Sequence, residues 1–327
     1  MKLLILSNNT ERASFRQRIG VYLDCLKAGG IDYEIAKLPS GVFTGRSVFK
    51  RAADFDGVLL HKKGLNPLDA YLLRKYSKKI IFNYDDAVMF NPENPDKYSF
   101  ARMTRFKRSI RLADMVVVGS RYLAEQGMAY NQAITVLPIG LDVSRYNPSD
   151  AGRKPDGKVR LVWIGSSSTK KYLEMIRPAL EQIGKRYSNA VLRMICDDFL
   201  DFENIEVEKC LWSPKSRYYD LAGGDIGLAP LPGDRFTMGK CSFKVLEYAA
   251  SGLPAVASPV GTNSEHLIEG VTGFFAGDTQ QWVDNISKLI DDKQLREKMG
   301  QNGLENAAKH DVTVIGQRLV DLIKSVI

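Results

Sequence analysis

Short apolar runs recur along the chain, each followed by a stretch whose apolar positions repeat every three or four residues. In the first half the runs are Lys2–Leu6, Tyr33–Ala36, Gly57–His61, Lys79–Asn83, Met115–Val118 and Ile134–Pro138. Helix-length segments such as Arg16–Ala28 and Pro67–Tyr76 lie between them. Apolar strands separated by helices predict a parallel sheet covered on both faces. The pattern restarts at Arg160–Ile164 and continues through Ala190–Cys196, Ile226–Ala229, Ala255–Ala257 and Gly273–Ala276. Lys171–Tyr187 reads as a helix with Leu173, Ile176, Leu180, Ile183 and Tyr187 on one face. Ser242–Ser251 is a short helix stopped by Gly252 and Pro254. Val312–Val326 is a last helix with no strand after it, so it must dock on something already built.

The seam between the two patterns is Asp142–Lys158, polar and rich in turn formers (Pro148, Gly152, Pro155, Gly157). The expected organisation is an α/β chain. A Rossmann-like, acceptor-binding domain takes residues 1–145, and a second, donor-binding one takes 146–310. The tail 311–327 packs back on the first. Two such sheets are expected to leave a ligand cleft at the carboxyl ends of their strands. Pattern alone does not separate a transferase from a binding protein.

Composition narrows the class. The 327 residues are 44% hydrophobic and 26% charged, which suits two self-sufficient cores. No run of 18 apolar residues marks a membrane span, and the first residues turn polar too soon for a signal peptide, so a cytoplasmic protein is expected. The four cysteines form no C-x-x-C pair and only three histidines are present, so neither a disulfide framework nor a metal site is expected. The net charge of +8 is uneven: residues 1–145 hold 23 Lys and Arg against 14 Asp and Glu, and the remainder is nearly neutral. That field favours an anionic partner for the first half: a phosphorylated acceptor, an anionic membrane or nucleic acid. In Arg102–Leu112 the cations Arg102, Arg105, Lys107, Arg108 and Arg111 alternate with Met103, Phe106, Ile110 and Leu112, which fits either an interfacial helix on anionic lipid or a solvated helix face. No nucleic-acid motif occurs in this half, and none is expected to bind.

Several motifs fail. Gly239-Lys240-Cys241 lacks the upstream glycine spacing and the hydroxyl of a phosphate loop. No G-x-G-x-x-G follows a strand. Asp54-Phe55-Asp56 matches a metal-binding D-x-D, but Asp56 directly precedes a strand and reads as its polar start.

The stretch Lys240–Gly261 carries more. A loop enters a helix near Ser242, and a strand then ends in the loop Gly261-Thr262-Asn263-Ser264, which opens another helix. Two helix starts would offer free N–H groups to an anion, with Lys240 adding a full charge and Glu247 able to accept ribose hydroxyls.

Leu246-Glu247-Tyr248-Ala249-Ala250-Ser251-Gly252-Leu253-Pro254-Ala255-Val256 closely resembles the helix-and-strand signature of the family-4 retaining glycosyltransferases. Glu269-Gly270-Val271-Thr272-Gly273-Phe274 matches a further family strand, and Ile139-Gly140-Leu141-Asp142 with Tyr146 resembles the interdomain signature. The resemblance implies a GT-B fold and hexosyl transfer from a nucleoside diphosphate-sugar, with no cofactor or metal. It implies a donor site of Gly165, Ser166, Lys170, Lys171, Gly239, Lys240, Ser242, Phe243 and Glu247, with Lys240 and Lys171 neutralising the leaving diphosphate. Two departures stand out. The first glutamate of the family's pair falls at Gly239, and the phosphate-loop arginine is missing from Gly165–Lys171.

In the first half, the loop and helix start after strand one (Ser14, Arg16, Arg18) and the strand ends at His61, Asp85 and Asp86 are the candidate acceptor residues. Asp86 and Lys240 are the candidate catalytic pair. The expected acceptor is a glycan, lipid-linked or otherwise anionic, with possible peripheral membrane contact.

Overall fold

A computed structural model describes residues 1–39, 46–146 and 155–327. The chain folds into two compact units. Unit 1 comprises Met1–Leu141, Asp234–Cys241 and Asp311–Ile327; unit 2 comprises Asp142–Gly233 and Ser242–His310. Where the sequence pattern suggested an unbroken second domain over 146–310, the segment Asp234–Cys241 instead packs with unit 1. The middle of the seam, residues 147–154 with Pro148 and Gly152, lies outside the described residues.

Unit 1 holds a six-stranded parallel sheet of β1 (Lys2–Ser7), β2 (Asp32–Lys37), β3 (Gly57–His61), β4 (Ile80–Tyr84), β5 (Met115–Val118) and β6 (Ile134–Val136), in the order β2-β1-β3-β4-β5-β6. Alternation sets its two faces. Leu4, Leu6, Val58 and Leu60 join one core with Phe106 and Ile110. Leu3, Ile5, Leu59 and Ile81 join the other with Ile315, Leu319 and Ile323 of the helix Val312–Val326, so the C-terminal helix covers that face.

Unit 2 holds β7 (Val159–Ile164), β8 (Ala190–Cys196), β9 (Glu206–Leu211), β10 (Ile226–Ala229), β11 (Ala255–Ala257) and β12 (Gly273–Phe275), parallel in the order β12-β11-β10-β7-β8-β9. Leu161, Trp163, Leu192 and Met194 pack there against Ile183, Trp282 and Ile286 from flanking helices.

The structure corrects four expected elements. β9 was not foreseen, because this edge strand is partly exposed along its length and carries no apolar run. Arg16–Ala28 is not one helix but Ala13–Arg18, a 3-10 turn at Gly20–Tyr22, and Leu23–Ala28, with glycine weakening the junction. Lys171–Tyr187 splits into Lys170–Glu174 and Arg177–Arg186, because Pro178 lacks the N–H that a continuous helix needs. The helix opened by Gly261–Ser264 is one turn, Asn263–His266, too short to supply the second anion-binding start.

Candidate active site

Each sheet has one place where strand order reverses, and ligands of open α/β sheets bind beyond the carboxyl ends of the strands there. In unit 1 that place lies between β1 and β3; in unit 2 it lies between β7 and β10.

Beyond β1 and β3 unit 1 contains a cavity of about 530 Å³. Ser7, Asn8 and Asn9 line it from the end of β1, and His61, Lys62 and Lys63 from the end of β3. Lys62 takes a left-handed backbone conformation, φ 57°. For a lysine that costs on the order of 1–3 kcal/mol and persists only where the surroundings impose it. Here they do: the Lys62 backbone N–H donates to Asn83 O at 2.7 Å, and its ammonium stands 3.3 Å from Asp85 and in close contact with Asp86. Lys240 approaches the same Asp86 at 3.4 Å and lies over the Phe236 ring. Burial works to raise the Asp86 pKa, but Lys62 and Lys240 overcome it and pull the value down to about 2. Burial likewise works against the Lys62 charge, and the two aspartates push its pKa up regardless. Asp86 is therefore a fixed anion between two cations rather than a base poised near neutrality. His61 is 4% exposed, stands edge-on to Phe15 at 5.8 Å, and is held by burial below the usual histidine pKa.

Of the candidate acceptor residues, Ser14, His61 and Asp86 line this cavity. Asp85 is buried behind it against Lys62. Arg18 is 1% exposed and bonds Leu137 O at 2.6 Å and Asn83 Oδ1 at 3.4 Å, so it braces β4 to the end of β6 instead of facing a ligand. Arg16 is exposed, bonds Glu11 O and does not line the cavity; Arg12, which the sequence reading passed over, does. The apolar side of the basic helix is not available to lipid either: Phe106 and Ile110 sit in the core of unit 1, because the alternation that suggested an interfacial helix matches the helix's inward stripe.

In unit 2 the helix Phe243–Ala250 is anchored at the β7/β10 switch. The Tyr248 hydroxyl donates to Leu228 O at 2.9 Å and accepts from the Ile164 N–H at 3.3 Å. One residue earlier, Glu247 is 3% exposed. The Tyr146 hydroxyl donates to its Oε1 at 2.9 Å, and Arg217 stands 3.4 Å from the same oxygen. Burial raises the Glu247 pKa, against Arg217 and the Tyr146 hydrogen bond. Arg217 escaped sequence reading, since one arginine at a short helix start carries no pattern. Ser242, the N-cap, is left-handed at φ 49° with its hydroxyl buried and without a partner among the described residues, and Phe243 begins the helix.

The loop after β7 is already occupied in part. Ser166 and Thr169 form a capping box, and the Ser167 N–H donates to Asp197 at 2.7 Å. Lys170 pairs with Asp198; Lys171 is exposed and lies over Tyr172. Gly165 precedes this loop. Gly239 sits in unit 1, where a Cβ would stand 2.8 Å from both the Cβ and the backbone nitrogen of Ala87. Packing there excludes the family's glutamate. Asp56, from the failed D-x-D, accepts from the Lys2 N–H at 2.8 Å at the amino end of the sheet, opposite the cavity.

Comparison with known proteins agrees with this fold. Residues 152–292 match the family described as Glycosyl transferases group 1. Sucrose-phosphate synthase (tll1590) from Thermosynechococcus elongatus superposes with a TM-score of 0.76 at 14% identity, covering 99% of this chain and 98% of that one. Anabaena Alr3699/HepE in complex with UDP and glucose superposes at 0.74 and 17% identity over 100% of both chains. The fold is GT-B. The sulfoquinovosyl transferase SQD2 of Arabidopsis thaliana is 25% identical over 308 residues, 84% of this chain. The chain spans 58% of that relative's length. The family match covers less than half of this chain, and the structural neighbours share its fold.

Proposed function

We propose that the chain transfers a sugar from a nucleoside diphosphate-sugar to a hydroxyl of a glycan, lipid-linked or phosphorylated acceptor, with retention of configuration and without a metal ion. The observation that carries the reading is the buried Glu247 on a helix locked to the β7/β10 switch, the place where a doubly wound sheet binds nucleotides. Glu247 would take the ribose hydroxyls. Ser242, Phe243, Gly165, Ser166, Lys170 and Lys171 would surround the donor, and Lys240 would offset charge on the departing diphosphate. UDP-sugars are the first donors to test, because HepE is seen with UDP and glucose. The family-4 resemblance carries the retaining, metal-free and hexosyl parts of the reading, and the chain is taken to act in the cytoplasm.

A thermal-shift screen of UDP-, GDP-, ADP- and dTDP-sugars tests donor binding, since a ligand of the folded state alone raises the melting point. Product configuration by NMR, with and without EDTA, tests the rest. Inverted product, or turnover that EDTA abolishes and Mn²⁺ restores, overturns the corresponding part. Gly239 in place of the family's first glutamate favours a second reading, a non-catalytic nucleotide-sugar binder. Donor binding with neither hydrolysis nor transfer across a broad acceptor panel would establish it.

A further inference from the structure

The cavity of unit 1 holds more positive charge than its own residues neutralise. Arg12, Lys63, Arg102 and Arg105 all line it, and among the described residues none of them forms an ion pair. Among the described residues Asp86 is the one carboxylate lining it, and Lys62 and Lys240 already hold that group. At the floor lies His61, 4% exposed, with neither ring nitrogen in hydrogen-bonding geometry with a described residue.

The basic helix Phe100–Leu112 sorts its cations by direction. Lys107 and Arg111 lie over the Tyr130 ring at 5.0 and 5.5 Å. Arg108 donates to Leu65 O at 2.8 Å. Arg102 and Arg105, one turn apart, are the two that line the cavity. The loop after β3 is latched to this helix. The Leu65 N–H donates to Ser109 Oγ at 2.9 Å, and Ser109 Oγ donates to Lys63 O at 3.1 Å. Gly64 makes the approach possible, since a Cβ there would stand 2.8 Å from the Cβ of Arg105.

We infer that this cavity is a phosphate subsite: the acceptor carries a phosphate group that Arg12, Arg102 and Arg105 grip, with Lys63 beside them and the remainder of the molecule reaching towards His61. Guanidinium groups suit a phosphate because their paired N–H donors match its oxygens. The inference rests on the transferase reading only in calling the ligand an acceptor. The phosphate could belong to a soluble sugar phosphate or to a lipid headgroup.

Calorimetry on the full chain decides, with inorganic phosphate, glucose 6-phosphate and glucose as soluble probes. Co-sedimentation with phosphatidylcholine vesicles containing phosphatidylinositol is the lipid arm. The variant Arg102→Gln/Arg105→Gln is compared with Arg102→Lys/Arg105→Lys, which keeps the charge and controls for folding. The expected result is that at least one phosphate probe binds, that glucose does not, and that the glutamine pair weakens binding about tenfold or more while the lysine pair weakens it less. Binding of glucose 6-phosphate places the phosphate on a soluble acceptor; binding of vesicles alone places it on a lipid. No binding of any phosphate probe at millimolar concentration, or binding that the glutamine pair leaves unchanged, overturns the inference. UDP affinity is measured alongside. Its absence from the unaltered chain would sink the donor reading and leave the phosphate subsite standing.

Discussion

The Tyr146 hydroxyl donates to Glu247 Oε1 at 2.9 Å, and this single bond ties the end of the stretch Ile139–Tyr146 to the helix Phe243–Ala250. Tyr146 stands edge-on to Tyr218 at 4.8 Å, and the neighbouring Arg217 supplies the positive charge. Burial raises the pKa of this carboxyl, which is 3% exposed, and Arg217 and the Tyr146 hydroxyl act against that rise.

Removing Arg217 should therefore cost more than removing Glu247. Arg217→Ala leaves a buried charge unpaired, and the expected loss is about 3–5 kcal/mol in urea unfolding. Glu247→Gln keeps a hydrogen-bond acceptor and should cost less. For the ligand the order reverses. Glu247→Ala should weaken nucleotide binding at least about tenfold, since each hydrogen bond to a charged acceptor is worth about 1.5–3 kcal/mol. Unchanged nucleotide affinity by calorimetry would remove Glu247 from the site.

Acid should destabilise the protein through Asp86. Its pKa is pulled down to about 2 in the folded state, below the ordinary aspartate value, so the unfolded chain binds the proton more readily. The stabilisation is present above the unfolded pKa, near 4, and is lost as pH falls towards 2. Its full size is about 2 kcal/mol. Asp86→Asn should remove this dependence while lowering stability at neutral pH. Parallel unfolding curves at pH 5 and pH 3 for both proteins check it; an equal acid loss in the two would refute the assignment.

Placing a glutamate at position 239 should fail for a packing reason. At position 239 even a methyl group meets the Ala87 backbone nitrogen at 2.8 Å, and the Ala87 main chain cannot rotate away. Gly239→Ala is expected to cost about 1–3 kcal/mol, as overpacked sites do, and Gly239→Glu more. A melting temperature unchanged in Gly239→Ala would show that the loop yields.

The sheets were legible because parallel strands buried on both faces write themselves as apolar runs, as Gly57–His61 and Ala190–Cys196 do. Glu206–Leu211 was illegible because an edge strand need not be apolar. The motif singles out Glu247 as a candidate, whereas the partners it has in the structure depend on chain crossings that no local pattern records: Arg217 lies thirty residues away and Tyr146 more than a hundred. The same limit explains Arg18. A helix-start arginine reads as a surface cation, and only the position of Leu137 O shows it to be a buried brace. Lys62 and Arg12 went unremarked beside His61 and Arg16, since the turn that aims each side chain is not written in residue type.

Lys62 combines two opposed contributions that substitution can separate. Its left-handed backbone, φ 57°, disfavours folding, while its contacts with Asp85 and Asp86 favour it. Lys62→Ala deletes the charge and keeps the unfavourable backbone. Lys62→Asn also deletes the charge but installs a residue that tolerates this conformation, and Lys62→Gly relieves the backbone most fully. All three should let the Asp86 pKa rise, because one of its two cations is gone, so all three should unfold with a weaker dependence on pH below about 4. Their stabilities at neutral pH should nonetheless differ, with Lys62→Ala the least stable by about 1 kcal/mol. Denaturant midpoints for the three variants at two pH values resolve both effects. Equal midpoints at neutral pH would show that the turn relaxes when the ammonium is lost, making the ion pairs the cause of the left-handed turn.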